Sequence, residues 1–503
     1  MTTVPRSART RLAAPLAAAL AALALASPAA RAGEKAAADL VPITTSSDEA
    51  RALYLEARAL TEALRGNDAR PKAEAAMAKD PEFATAQFLL ATVSPTAQGF
   101  FDGMKKAATL AGATKVSQGE RDAILGSYEG NVRGDSKAAL DHYEKLAAAY
   151  PRDPRALAPL AGFRMARQEW QAAADLYKRT LALDPGYAPS WNQIGYALRF
   201  LGRYNEAEEA FAKYVAAIPN DPNPYDSQGE FLLKVGKFEK SIASYRKALA
   251  IDAHFIPSYV GIANAQMGLE RYDDARATLA SLRAAARTDA DVRASVFWTM
   301  ITWLHQGEVD RALAAYQQCL AISGNGDPAN HAGDLQVIGQ IQLDARRFEP
   351  ALATFAKAVE TVDGAAVPEE TKDGFRRNHL FFVGRTAAAN GDLAAARTNA
   401  DAYRARATAK GLPFEVRRSH ELDGLVALGE KDWKKAIAEL AQADDQDPYV
   451  WTLRARAQEG AGNAREAREA WRRAADYNEI VNPLSWAFVR AEARKALKSL
   501  PKA

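Results

Sequence analysis

Six histidines, a single cysteine and a scatter of paired carboxylates are the residues of this 503-residue chain whose types could support catalysis or metal binding. Zinc hydrolysis on a helix needs two histidines one turn apart beside a glutamate base, so that both rings share a face. The stretch His420-Glu421-Leu422-Asp423-Gly424 begins that pattern, but a glycine stands where the second histidine would fall. The other histidines are His142, His254, His305, His331 and His379, and His142, beside Tyr143, reads as structural. Cys319 is alone, which excludes an intramolecular disulfide and any cysteine-clustered zinc or iron–sulfur site. Its place in a helical segment reads as a packed thiol rather than a nucleophile. Phosphate cradles are missing too: Gly236-Lys237 is followed by Phe238, and Gly324-Asn325-Gly326 lacks a preceding strand and a third glycine. No serine lies in a Gly-x-Ser-x-Gly elbow. Adjacent acids such as Glu208-Glu209 and Asp273-Asp274 diverge on a helix and read as solvated faces. These patterns predict no catalytic residue, no metal and no cofactor.

Composition narrows the remaining classes. Lys and Arg number 65 against 62 Asp and Glu, a net charge of +3, which gives no global electrostatic case for nucleic-acid or anionic-membrane binding. Hydrophobic residues at 48% and charged residues at 25% are those of an ordinary folded chain, which excludes disordered and collagen-like classes. Arg6, Arg9 and Arg11 precede an uncharged apolar run over residues 12–26, and Ala30-Arg31-Ala32 follows. A basic start, a short apolar middle and a small-x-small ending predict a secretory signal peptide over 1–32, cut by preference after Ala32, with Ala24-Leu25-Ala26 offering an earlier cut. The run is shorter than the roughly 20 residues a membrane span needs. Cleavage removes four arginines and no acids, leaving 61 basic against 62 acidic residues. Residues 33–47 are small and polar and read as a flexible tether. No other apolar stretch reaches membrane-spanning length, so no integral membrane segment is expected after cleavage.

The elements that would position any site repeat along the chain. Pro151, Pro185 and Pro219 are spaced by 34 residues, and each closes a helical segment. Between the last two, Ile194, Ala197 and Leu198 form an i, i+3, i+4 stripe, and Tyr204, Ala207 and Phe211 form its counterpart on the next helix. Gly202 separates the two stripes, as a helix-ending glycine does. Two antiparallel helices approach closely only where side chains are small, so Gly195 and Ala207 are expected at the crossing. The second-helix small residue recurs at Ala139, Ala173, Ala207, Ser241, Ala275, Ala312, Ala351, Ala396, Ala436 and Ala467. A first-helix partner keeps step at Ser127, Ala161, Gly195, Gly229, Ala263, Met300, Gly339, Gly384, Gly424 and Ala455. Met300 breaks the small-residue rule and predicts looser packing in the sixth copy.

With Trp191, this pattern of aromatic, apolar-Gly, Gly-x-aromatic and Ala-x-x-x-aromatic resembles the tetratricopeptide repeat. The resemblance implies an all-α superhelical solenoid of antiparallel helix pairs. Ten copies are expected over 120–481, with degenerate pairs over 48–119 and a terminal helix over 482–503. That last helix places Trp486, Val489, Ala493 and Leu497 on one face, which suits a cap; its basic residues would also suit a membrane surface, the less favoured reading.

Family resemblance also implies which first-helix positions line the concave groove: Asn192 and Tyr196, with Arg199 one turn further, then Asp226 and Glu230, Asn264, Phe297, Gln336 and Gln340, Phe381 and Arg385, and Glu421. Asn and Gln can bond a peptide backbone, and Tyr and Phe supply anchors. The carboxylate clamp of some tetratricopeptide cochaperones is not expected here, because Asp226 and Glu230 would repel a carboxylate. The whole chain past the leader also resembles exported bacterial tetratricopeptide proteins with no settled role, through residues 219–230 and 477–490. The expectation is a non-catalytic scaffold or adaptor in the periplasm or beyond, binding a protein or peptide in its groove and no nucleic acid. An edge-docking accessory subunit of an envelope secretion or polymer-synthesis complex is the second reading. An enzyme whose site sequence does not reveal is the third.

Overall fold

The structure, a computed structural model, describes residues 39–500 apart from 64, 113, 114 and 325. The expected leader lies outside the described residues, as does the first part of the expected tether. Every regular element among the described residues is an α-helix. Two pairs come first, α1 (Asp48–Glu62) with α2 (Gly66–Lys79) and α3 (Ala84–Thr92) with α4 (Ala97–Ala111). The next five pairs are α5 (Gln118–Asn131) with α6 (Ser136–Ala149), α7 (Pro154–Ala166) with α8 (Trp170–Leu183), α9 (Ala188–Phe200) with α10 (Tyr204–Ala217), α11 (Pro222–Lys234) with α12 (Phe238–Ile251), and α13 (Ile256–Gly268) with α14 (Tyr272–Ala285). Five more follow: α15 (Asp289–His305) with α16 (Val309–Gly324), α17 (Pro328–Asp344) with α18 (Phe348–Asp363), α19 (Glu369–Asn390) with α20 (Leu393–Lys410), α21 (Pro413–Gly429) with α22 (Trp433–Gln442), and α23 (Pro448–Gly460) with α24 (Ala464–Ala475). A single helix, α25 (Pro483–Ser499), ends the described chain.

The crossings form where small residues permit them. All ten second-helix positions from Ala139 to Ala467 are at most 1% exposed. At Gly195 an added Cβ would meet the Phe211 ring at 2.7 Å, so the aromatic of the second helix lies on the bare backbone of the first. Met300 is fully buried, in a cluster with Trp298, Ile301, Leu484 and Trp486. The large side chain there meets the chain's own last helix. In the eighth copy, helices of 22 and 18 residues absorb the long step, and fully buried Tyr403 packs on Phe381 near Ala400, where other copies carry an aromatic.

Each of the ten pairs turns through one residue in the left-handed region. These are Gly134, Gln168, Gly202, Gly236, Glu270, Gly307, Arg346, Gly391, Lys431 and Gly462, and their spacing repeats that of the crossing residues. The turn geometry is thus constant even where the residue is not glycine. Helix starts follow familiar chemistry: Ser117 and Glu120 form the expected capping box, and Asp153 and Asp221 cap helices that begin with proline.

The solenoid winds far enough for distant copies to meet. Arg287, before α15, lies 3.6 Å from Asp68 in α2, and Lys410 at the end of α20 lies against Gly134. Helix α25 covers α24 through Ala493 and Leu497, as a cap does, and its first turns, with Leu484, Trp486 and Ala487, enter the interior; the helix packs against α15, α17 and α23. Trp486 is fully buried there. Within the stretch read as a tether, residues 41–46 are held in place. Val41 N–H donates to Asp153 Oδ2 at 2.8 Å, Thr44 N–H to Glu120 Oε1 at 2.7 Å and Ser46 N–H to Asp80 Oδ2 at 3.1 Å.

Candidate functional site

First helices of successive pairs present their side chains inward, and two charged groups form there. The first is built on α9 and α11. Tyr196 Oη donates to Glu230 Oε2 at 2.8 Å, and Arg199 Nη1 donates to Glu230 Oε1 at 2.6 Å. The other arm of Arg199, Nη2, donates to Glu479 Oε2 at 2.7 Å, and Lys234 pairs with the second oxygen of Glu479. Burial pushes the Glu479 carboxyl up, but Arg199 and Lys234 outweigh it and hold the group below its ordinary value. Burial likewise opposes the charge on Arg199, while Glu230 and Glu479 raise its affinity for the proton. Glu479 stays ionised between two cations.

The second group sits on α17, α19, α21 and the start of α23. Arg385 lies 3.5 Å from Asp344 and 3.5 Å from Glu421, and its guanidinium stacks 4.1 Å from the Tyr449 ring centroid. One buried cation faces several acids. Burial lifts Glu421 to about 7 and Asp344 to about 6, with Arg385 opposing in both, and burial raises Asp447 as well. A cavity of about 570 Å³ opens beside them, lined by Asp344, Arg385, Tyr449, Ser485 and Glu492 among others.

The twelve residues expected to line an open groove fall into two sets. Asn192, Arg199, Asn264, Phe381, Arg385 and Glu421 are buried, while Tyr196, Asp226, Glu230, Phe297, Gln336 and Gln340 are half-buried. Asn264 Nδ2 donates to its own helix at Val260 O, and the Oδ1 atoms of Asn192 and Asn264 are buried without a partner. Asp226 accepts from Ser258 Oγ at 2.7 Å, and burial lifts its carboxyl to about 7. Phe297 packs edge-on against Trp298 and Tyr316, and Phe381 packs on Phe382 beneath Arg418. The structure therefore joins Tyr196, Arg199 and Glu230 in one group and Arg385 with Glu421 in another, where Phe381 lies 5.9 Å from the Arg385 guanidinium and Gln340 bonds Asp344.

Sequence reasoning missed Lys234, Tyr477 and Glu479 in the first group, and Asp344, Asp447 and Tyr449 in the second. Nothing in local spacing places Glu479 beside Arg199. Glu230 and Glu479 sit on the same cation, because Arg199 uses one arm for Glu230 and the other for Glu479. His420 Nδ1 meets Glu439 at 2.7 Å, His142 Nδ1 meets Asp122 at 2.8 Å, and Cys319 is buried. Among the described residues no group of three or more His, Cys, Asp or Glu is placed to hold a metal ion. Among them also, no helix is long and apolar enough to cross a membrane.

A family model described as tetratricopeptide repeat matches residues 164–228 and 232–296, and a second model of that description matches 132–188. Among curated proteins, cellulose synthase operon protein C of Xanthomonas axonopodis pv. citri (strain 306) is 26% identical over 353 residues, which are 66% of this chain and 22% of that protein. The general transcriptional corepressor trfA of Dictyostelium discoideum is 22% identical over 133 residues, 26% of this chain and 10% of that protein. The chain thus spans about a fifth of the length of the first and a tenth of the second. Among solved structures, the Cut9–Hcn1 assembly of the APC/C matches over 88% of this chain and 80% of its own, at 16% identity and a TM-score of 0.42. A tetratricopeptide repeat protein of Parabacteroides merdae matches over 52% of this chain and all of its own, at 16% identity and a TM-score of 0.37.

Proposed function

We propose, from the premise that this chain is a tetratricopeptide-repeat protein, that it is a non-catalytic interaction scaffold of the bacterial envelope whose inner face holds a peptide or a partner helix. One observation carries the reading. The inner face already holds a non-helical stretch of protein, residues 476–482, through first-helix side chains of α9 and α11. Repeated first helices give such a face its length, and interior arginines, amides and aromatics give it anchors. The leader expected over residues 1–32 supports an envelope location.

The name of one relative favours a second reading, an accessory subunit of an envelope polymer-synthesis complex that docks by an edge. Leu183 and Ile251, exposed by 40% and 41% at the ends of α8 and α12, supply such an edge.

Cross-linked capture from an envelope extract of the native host separates the two. The baits are the wild-type chain, an inner-face variant with Gln336→Arg and Gln340→Arg, an edge variant with Leu183→Ser and Ile251→Ser, and an outer control, Lys240→Glu. A partner lost only with the inner-face variant is the expected result. A partner lost only with the edge variant replaces the first reading with the second. Equal capture by all four baits would sink both.

A further inference from the structure

Seven residues, 476–482, join α24 to α25 and carry no regular structure beyond a turn and bends. They cross the interior with three side chains turned inward. Tyr477 is 5% exposed, with the Lys234 ammonium 5.7 Å from its ring centroid. Glu479 is 2% exposed and held by Arg199 and Lys234. Ile480 packs against the cluster of Leu233, Ile242, Tyr245 and Ile262. Val481, by contrast, is 47% exposed, and Asn482 turns the chain into α25 with a φ of 53°.

We propose that residues 477–480 are a tethered occupant of a peptide receptor on α9 and α11 to α13, and that the receptor exchanges them for an acidic segment of another protein bearing an aromatic residue, any residue, a glutamate and an aliphatic residue in that order. The inference rests on the scaffold reading and names its ligand. Three sockets define the order: a shelf beside Lys234 for the ring, two cations for the carboxylate, and an apolar floor for the aliphatic chain. The receptor demands a replacement. If the loop left with nothing in its place, Arg199, with 1% of its side chain exposed, would keep only Glu230, and Lys234 would lose its partner. A buried guanidinium short of a counter-ion is costly, whereas one carboxylate exchanged for another leaves the charge balance unchanged.

The route in has the matching charge. A cavity of about 520 Å³ adjoins the loop, and its lining includes Arg199, Lys234, Arg472 and Arg473 against Asp445, Asp476 and Glu479. With Glu479 displaced, four cations face two acids, which favours an acidic segment over a neutral one. Tethering sets the threshold for exchange, because a linked segment competes at an effective concentration on the order of millimolar.

The test uses a fluorescein-labelled peptide copying residues 476–482 with both ends blocked, the same peptide with glutamine for its glutamate, and the full chain as wild type, Glu479→Gln and Ile480→Ala. Anisotropy reads binding, and thermal melts confirm that each variant is folded. The copied peptide should bind both variants at least tenfold more tightly than wild type, and the glutamine peptide at least tenfold more weakly than the copied one. Faster hydrogen exchange of residues 477–481 in wild type at saturating peptide would support the exchange directly. If either variant melts out, the other carries the comparison; if both do, the exchange measurement on wild type decides, and no acceleration overturns the proposal. Equal affinity of the two peptides, or no binding to a folded variant, overturns it also. A partner still captured through Gln336 and Gln340 would then leave the scaffold reading standing. Peptide binding with no partner captured would leave the receptor and remove the scaffold reading.

Discussion

Arg199 and Glu479 lie 280 residues apart in the chain and 2.7 Å apart in the fold, each with 1% of its side chain exposed. That contact joins the third of the ten pairs to the end of the tenth. Arg490 adds to it by donating to the carbonyls of Met267 and Gly268 at the end of α13, at 3.3 and 3.1 Å. A linear repeat array confines damage to neighbouring copies. This one is cross-tied. Removing one partner of a buried pair leaves an uncompensated charge and costs about 3–5 kcal/mol. Glu479→Ala should therefore speed hydrogen exchange in α9 to α12 together with α23 to α25. Acceleration confined to residues near 479 would mean the tie carries no coupling.

A milder prediction concerns the turns. Gln168 and Lys431 sit at φ of 61°, where Gly202 and Gly462 sit in other copies. A side chain in the left-handed region costs roughly 1–2 kcal/mol, partly offset by the greater freedom glycine loses on folding. Gln168→Gly and Lys431→Gly should each stabilise the chain by about 0.5–1 kcal/mol, read from urea midpoints. A downward shift in either would show that the residue makes contacts worth more than its strain. Gly202→Ala, with φ of 74°, should move the midpoint the other way.

The repeats were legible because their packing is local. Gly195 and Ala207 are twelve residues apart, and the two facing helices need small side chains at a fixed spacing, so the period survives in the sequence. Even the uneven steps reappear in the left-handed turn residues, which the sequence shows as glycine in only some copies. The groups on the inner face were legible only in part. Tyr196 with Glu230, in adjacent copies, follows from the repeat; Arg199 with Glu479 depends on how far the superhelix winds before it meets its own end. Winding accumulates from small rotations per pair, and no residue type reports it. Trp486 illustrates the same limit: its apolar face predicts burial, and its partners Val260, Trp298 and Met300 come from copies five and six.

The crossing at Gly195 tests the packing account directly. A Cβ there would stand 2.7 Å from the Phe211 ring, closer than real contacts allow, and both helices are fixed by their neighbours. Gly195→Ala should destabilise the chain by about 1–3 kcal/mol as an overpacked site. Adding Phe211→Leu trims the ring, so the double variant should be less damaged than the two single effects summed. Simple additivity would mean that the clash is relieved elsewhere. Ala207→Leu, at a fully buried position on the facing helix, should cost a similar amount.

Acid sensitivity should trace to His305. Its ring meets the Trp486 ring edge-on at 4.5 Å and stacks with Tyr272 at 6.2 Å, and its Nε2 is buried without a partner. Burial, with Arg490 and Arg494 nearby, lowers its proton affinity to about 3. Below about pH 6.5 the unfolded chain takes up a proton that the folded chain refuses, so this group removes stability as pH falls, by about 1 kcal/mol per unit. Asp226 and Glu421 act in the opposite sense. Their carboxyls are lifted to about 7, so between there and about pH 4 the folded chain holds protons that the unfolded chain releases. Their contribution favours the fold at acid pH and is lost as pH rises through 7. A raw melting profile mixes both signs, but His305→Phe removes one of them and keeps a ring against Trp486. Stability of wild type relative to that variant should decline steadily from pH 6.5 to pH 4.5. A difference that stays flat across that window would mean the histidine gains its proton without leaving the core, with the neighbouring arginines yielding to it.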